Sequence, residues 1–480
     1  MSDKLNVKRT PTFKQALFIM VVCFAFVMIP TIVSGVKIHV MFLLAWLLAY
    51  PLCMRLGYSF EELQAGLMKF IPKCIMPMLL LLTVGAVVGS WAASGTIAYV
   101  MVLGFKIIAP KYFLATTFVV TLLVACMTGT SFGTVGTVGV ALMGVALGMG
   151  IDEYMAAACI ISAALIGDGI SPMSDTPNVI GGSSGVNVFD AIKFQLPMAI
   201  PVTILTFLYY FFVGATGNAA TADTSSIQAL VVAIESSFNL NIFCLLPVLI
   251  VLLLLVTKFP TIPALMLGSV SGGIISWLLQ GQVVKDIVTY MWTGYVLQSN
   301  DVLLSHLFTR GGIMSMTGTA LLFIFSFGLF GIMNECHILE TLVAPLLTKV
   351  KSRFSGVVCT IILGFVGLFS SSASFSEVFT CNIMREVYEE KGLDKRDLTR
   401  AATVGTFAIQ LYVPYVLMVN TVCGYLNVDG VHIMSYYVTS PLYLIICLLI
   451  TGFNLDKKLF KSMFREEERL EEVKQTEQCL

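Results

Sequence analysis

The chain has 480 residues, 57% of them hydrophobic and 12% charged, with a mean hydropathy of +0.91. That composition excludes a soluble globular protein and fits an integral membrane one. The 28 basic and 28 acidic residues cancel, so no global field favours nucleic acid or an anionic partner.

Lys4, Lys8, Arg9 and Lys14 surround the entry to an apolar stretch from Phe13 to Ile32. That stretch is longer than a signal-peptide core and lacks a small-residue cleavage site, so it reads as a first span that is retained. Apolar runs then predict helices near residues 13–33, 38–54, 72–102, 112–127, 137–149, 154–167, 196–214, 241–257, 262–280, 312–334, 354–372, 398–423 and 434–453. The runs 137–149 and 154–167 are too short to cross about 30 Å of hydrocarbon alone and read as half-helices or re-entrant arms.

The expected architecture is an all-α integral membrane protein of about 10–13 transmembrane helices, in two related, inverted halves with broken or re-entrant helices. N-terminal transmembrane helices occupy 1–70, a first transport repeat 71–216, a polar linker 217–240, a second repeat 241–453 and a charged tail 454–480. Sliding the second half back by 242 positions lays Gly392 and Asp394 on Gly150 and Asp152, Pro414 on Pro172, Asn420 on Asn178 and Gly424 on Gly182. Basic residues at the N-terminus, in the loop with Arg55, Lys69 and Lys73, and in the tail with Lys457, Lys458, Lys461 and Arg465 place both termini on the cytoplasmic side of the cell's inner membrane. The 12 cysteines are scattered singly through apolar runs without C-x-x-C and read as reduced thiols.

Two polar interruptions carry the chemistry. Gly129 to Thr137 breaks an apolar helix with small and hydroxyl residues, more hydroxyls than close helix packing requires. Freed backbone at such a break offers carbonyls to a cation. Gly167 to Asn178 holds two prolines, two carboxylates (Asp168, Asp175), three hydroxyls (Ser171, Ser174, Thr176) and an amide, and reads as an extended turn. Carboxylate, hydroxyl and carbonyl oxygens without His or Cys suit a hard alkali cation. A desolvated carboxylate holds either a cation or a proton, and that competition is itself a mechanism of exchange. Gly181 to Gly185 lacks the Gly-Lys-Ser/Thr element of a phosphate cradle and reads as a hinge. No Walker A or H-E-x-x-H motif occurs, and no enzyme chemistry or cofactor is expected.

Gly89-Ser90-Trp91 with Ser94-Gly95-Thr96, then Gly129-Thr130-Ser131 through Gly136-Thr137, then Gly167-Asp168 with Ser171-Pro172-Met173-Ser174-Asp175-Thr176 form an ordered series. In order and spacing it resembles the NhaC-type sodium/proton antiporter family, from about Leu79 to Asn427. Arg310-Gly311-Gly312 with Ser315-Met316 is similar to the family's second-half entry. The resemblance implies exchange of sodium for protons by alternating access. It makes Thr130, Ser131, Asp168, Ser171, Ser174, Asp175 and Thr176 candidate sodium ligands. It also includes relatives that couple these ions to malate and lactate or to amino acids.

The second half departs from the family pattern. An acidic pair after Thr399-Arg400 and a Pro-Trp-Asn element would be expected, and the chain has Ala402-Thr403-Val404 and Pro414-Tyr415-Val416. A neutral pocket suits an organic substrate, so an organic acid or amino acid is the alternative cargo, with Glu377, Tyr412, Tyr415 and Asn420 as its candidate contacts. The expected partners are the lipid bilayer, sodium and protons; nucleic acid is not among them, and homo-oligomerisation is left open.

Overall fold

The computed structural model describes residues 10–34, 36–107, 110–216, 224–257, 259–297, 305, 308–309, 311–413 and 415–456. Lys4, Lys8, Arg9, Arg310, Pro414 and the tail beyond Asp456 therefore lie outside the described residues. Helices α1 (Phe13–Ser34), α2 (Ile38–Met54) and α3 (Phe60–Phe70) precede α4 (Ile75–Ala93), α5 (Thr96–Ile107), α6 (Phe113–Thr128), α7 (Ser131–Gly148), α8 (Glu153–Gly169), α9 (Asp175–Ser184) and α10 (Val188–Thr216). Within the polar stretch expected to link the halves, Thr224–Ser237 forms α11. There follow α12 (Leu246–Val256), α13 (Thr261–Gln280), α14 (Val284–Thr293), α15 (Ile313–Glu335), α16 (Ile338–Leu347), α17 (Arg353–Leu368), α18 (Ala373–Glu390), α19 (Lys395–Tyr412), α20 (Leu417–Leu426) and α21 (Thr439–Phe453).

Among the described residues, seven helices are long and apolar enough to cross a membrane, or up to nine if two bent pairs each count as one span. Several further runs counted from hydropathy, such as 38–54, 354–372 and 434–453, appear as apolar helices of 10–17 residues, at or below the shortest length that spans hydrocarbon. The long run 72–102 is two helices, divided at Gly95.

The two halves are built alike. Left-handed backbone positions that end or break helices recur 242 positions apart: Gly95 with His337, Gly129 with Ser371, Gly150 with Gly392, and Gly185 with Asn427. The helix caps keep the same register. Thr130 and Ser372 each accept from the N–H three residues on, and Asp152 and Asp394 each cap the helix that follows. Three of the second-half positions carry a side chain in a backbone conformation that favours glycine, so the break is kept where its usual residue is not.

Burial orders the helices from the inside out. Ala156 to Gly169 of α8 are all buried, as are Ser131 and Gly133 to Ala146 of α7. Small residues allow this, since Gly167 of α8 meets the backbone of α6 at Leu122 and Cys126. Outer helices instead expose large apolar side chains, among them Phe18, Leu47, Trp277 and Leu278, as lipid contact requires. The 11 cysteines described are all free, and all but Cys126 are buried.

An ion cluster ties the starts of α17 and α19 to the segment after α21. Arg353 donates to both oxygens of Asp397 at 2.6 and 2.9 Å and also pairs with Asp456, while the fully buried Arg400 pairs with Asp397 and, at 3.0 Å, with Asp456. Burial opposes ionisation of Asp456, but its hydrogen bond to Arg353 and the charges of Arg400 and Arg353 outweigh it and hold its carboxyl below the usual range. A depressed folded-state pKa stabilises the fold fully above the ordinary aspartate value of about 3.9, and that contribution is lost as pH falls through the lower folded value. The melting temperature of the solubilised protein is therefore expected to fall below about pH 4, with a shallower fall in Asp456→Asn.

Candidate functional site

The site lies where the two helix breaks meet. α6 ends at Thr128, Gly129 turns the chain with φ +64°, and Thr130 caps α7 by accepting from the Gly133 N–H at 3.2 Å. The break expected over Gly129 to Thr137 is thus only two residues long, because the hydroxyls that follow are absorbed by the helix. Thr134 and Thr137 donate to the carbonyls of Thr130 and Gly133 at 2.8 and 2.6 Å, and Val135 to Gly139 widen into a π-turn.

The second polar segment is also more helical than its prolines imply. Asp168 stands in the last turn of α8, residues 170–174 form the turn, and Asp175 opens α9 behind the Ser174 cap. Gly181 to Ser184 continue α9, and Gly185 closes it in the left-handed conformation.

Asp168 reaches across to α7. Its Oδ2 accepts from the Ser131 N–H at 3.1 Å, at the positive end of that helix, and the hydroxyls of Ser131 and Ser174 lie against the carboxylate. Its Oδ1 is buried with no hydrogen-bond partner among the described residues. A buried carboxylate oxygen is costly without a donor or cation, so this atom marks the place for one.

A cavity of about 470 Å³ opens beside it. The first half lines it with Thr130, Ser131, Asp168, Ser174, Asp175 and Thr176. The second half contributes Ser372 to Phe375 and Glu377 from the start of α18, then Phe407, Gln410, Leu417 and Met418. Lys73 and Phe327 complete the wall. Asp168 and Glu377 are buried, whereas Asp175 is exposed. Glu377 is held beside the Thr176 hydroxyl, within electrostatic reach of both aspartates.

Six of the seven sequence-derived sodium-ligand candidates line this cavity. The seventh, Ser171, lies outside the lining and donates to the Cys126 carbonyl at 2.8 Å, fastening the turn to α6. Of the organic-substrate candidates, Glu377 lines the cavity. Tyr412 is exposed elsewhere, Tyr415 packs against Phe24 and Phe42, and Asn420 donates to the Val416 carbonyl of its own helix. Lys73 and Gln410 were not singled out from sequence. Lys73 is legible only as an orientation signal, and its ammonium lies 3.8 Å from the Phe70 ring centroid. Gln410 was available from the repeat, since it stands 242 positions after Asp168.

Among the described residues no three or more His, Cys, Asp or Glu side chains converge to hold a metal ion. The donors at hand are carboxylate and hydroxyl oxygens with a helix break, a set that suits a weakly held alkali cation.

Gly129 is where the geometry is least forgiving. A Cβ there would lie 2.7 Å from the Met173 backbone carbon, in a conformation that costs an L-residue about 1–2 kcal/mol. Ser371 shows that the φ alone is tolerated, so the clash with the 170–174 turn decides. Gly129→Ala is expected to destabilise the protein by about 2–4 kcal/mol and to weaken sodium binding, read as a lower melting temperature and a smaller sodium-induced shift.

A family model described as "Na+/H+ antiporter family" matches residues 6–215 and 164–453. The chain is 29% identical over 408 residues to the malate-2H+/Na+-lactate antiporter of Bacillus subtilis, covering 85% of this chain and 87% of that protein. It is 28% identical over 432 residues to the Na+/H+ antiporter NhaC of Alkalihalophilus pseudofirmus, covering 90% and 93%. To the arginine/ornithine antiporter ArcD of Halobacterium salinarum it is 24% identical over 469 residues, 95% of each chain.

Proposed function

The chain belongs to the Na+/H+ antiporter family, and from that premise we propose that its exchange of sodium for protons takes place in the cavity around Asp168. The observation that carries this reading is the Oδ1 of Asp168, buried beside a helix break and without a hydrogen-bond partner among the described residues. Sodium binds there with Asp168 as its charged ligand and with hydroxyls of Ser131, Ser174 and Thr176 in reach. Asp175 supplies further negative charge at the cavity wall, and Glu377 adds a buried carboxyl there. When the cation leaves, a proton replaces it, because an uncompensated carboxylate is costly at that depth. Rearrangement of the two related halves about the cavity then carries the occupied site from one face of the membrane to the other. The membrane is the cytoplasmic membrane, with both termini on the cytoplasmic side.

In everted vesicles loaded with a pH-sensitive dye, added sodium is expected to dissipate a preformed proton gradient, and potassium or choline to leave it standing. A gradient indifferent to sodium across the range of pH would overturn the reading.

A cavity of about 470 Å³ is larger than a bare sodium ion occupies. That volume favours a second reading, in which a small organic acid or amino acid travels with the ions.

A further inference from the structure

Asp168 and Gln410 occupy corresponding places in the two halves, 242 positions apart. In the first half α7 restarts behind the Thr130 cap, and Asp168 places a carboxylate oxygen on the Ser131 N–H. The positive end of that helix therefore carries an anion supplied by the protein. In the second half α18 restarts behind the Ser372 cap, whose hydroxyl accepts from the Phe375 N–H at 3.1 Å. At the position corresponding to Asp168 the chain has a neutral amide.

Gln410 is fully buried, and neither its Oε1 nor its Nε2 has a hydrogen-bond partner among the described residues. It lines the same cavity as Ser372, Ala373 and Ser374 of the α18 start. An unsatisfied buried amide costs about 1–3 kcal/mol. The first N–H groups of a helix have no acceptor within the helix, and its dipole favours negative charge there. Both deficits border one cavity, and a carboxylate has the acceptor oxygens that the Gln410 amide and the N–H groups of a helix start call for.

We propose that the second half holds a subsite for the carboxylate of a small organic solute, between Gln410 and the N-terminal turn of α18. The ligand there supplies the anion that Asp168 supplies in the first half. This goes beyond sodium/proton exchange and rests on reading the cavity as the transport site. The wall sets the carboxylates of Asp168 and Asp175 against the ammonium of Lys73, so a further anion is repelled until sodium occupies the first half. Binding of the solute is therefore sodium-dependent.

The test uses the purified full-length protein and its melting temperature with L-lactate, L-malate, and the neutral amides lactamide and malamide, in sodium or choline chloride. A ligand that binds the folded state raises that temperature. At least one acid is expected to do so in sodium only, and its amide is not. Gln410→Glu, which puts a protein carboxylate at the subsite, is expected to weaken the acid's apparent affinity by roughly ten- to a hundredfold. No effect from either acid, an amide as effective as its acid, or wild-type affinity in Gln410→Glu would overturn the proposal. Should that variant not fold, the acid-against-amide comparison on the wild type decides alone. Sodium-driven proton movement in vesicles separates the two readings. Exchange without acid binding removes the subsite only, and sodium-dependent acid binding without exchange supports the subsite while removing sodium/proton exchange.

Discussion

Asp168→Asn is expected to reduce sodium-driven proton movement by at least about a hundredfold while leaving the amount of protein in the membrane near wild type. The asparagine matches the carboxylate in shape, and its side-chain oxygen still accepts from the Ser131 N–H that Asp168 now engages at 3.1 Å. What it lacks is the charge on the partnerless Oδ1. An amide oxygen holds a cation far more weakly, and an amide does not take up a proton at physiological pH. Changes one shell further out at ion sites cost ten- to a hundredfold, so the loss of the charged ligand sets about a hundredfold as the lower bound. Asp175→Asn should do less in the same vesicle assay, raising the sodium needed for half-maximal exchange, because Asp175 is exposed at the start of α9. Equal loss from both substitutions would place the charged ligand at the cavity wall rather than at the buried helix end.

Arg400→Met is expected to be the most destabilising single change in the ion cluster, by about 3–5 kcal/mol. Methionine approximates the length of the arginine stem and preserves packing near Phe194, so the loss is electrostatic. With Arg400 gone, the buried Asp397 and Asp456 lose one of the guanidinium groups that pair with both of them, which removes positive charge from a dry setting. Because this cluster joins the starts of α17 and α19, its loss loosens the scaffold that presents the α18 turn and Gln410 to the cavity. Solubilised protein should melt well below wild type. The double variant Arg400→Met/Asp456→Asn should regain much of the difference, since it removes a buried negative charge together with the positive one. A double variant no more stable than Arg400→Met would show that the guanidinium acts through packing alone.

Much of this site was legible in the sequence because its signals are local. A glycine followed by a capping hydroxyl at Gly129-Thr130, and carboxylates set among prolines from Asp168 to Asp175, announce a helix break and a turn without reference to distant residues. The repeat was legible for a related reason, since Gly150 with Asp152 and Gly392 with Asp394 keep the same residues for the same backbone task. What escaped is non-local. The second-half breaks at His337, Ser371 and Asn427 use side chains where the first half uses glycine, and the register exposes them as its counterparts. The hydroxyls of Thr134 and Thr137 looked like part of an extended break but satisfy carbonyls of their own helix. Tyr412, Tyr415 and Asn420 looked like substrate contacts because they offer hydroxyls and an amide where the second half lacks the expected carboxylates. In the fold Tyr412 is exposed, Tyr415 packs against Phe24 and Phe42, and Asn420 bonds to its own helix. Arg400 sits in a strongly polar turn that reads as a solvated helix start until Arg353 and Asp456, each dozens of residues away, close over it.

If sodium and a proton take turns on the Asp168 carboxylate, as proposed above, the binding of one excludes the other. Binding of radioactive sodium to the purified protein, measured over a series of pH values alongside the protons released into weak buffer, tests it most directly. Sodium affinity is expected to fall as pH is lowered, with protons released on binding and both effects lost in Asp168→Asn. Sodium binding of constant affinity across pH, or proton release that survives in Asp168→Asn, would contradict it.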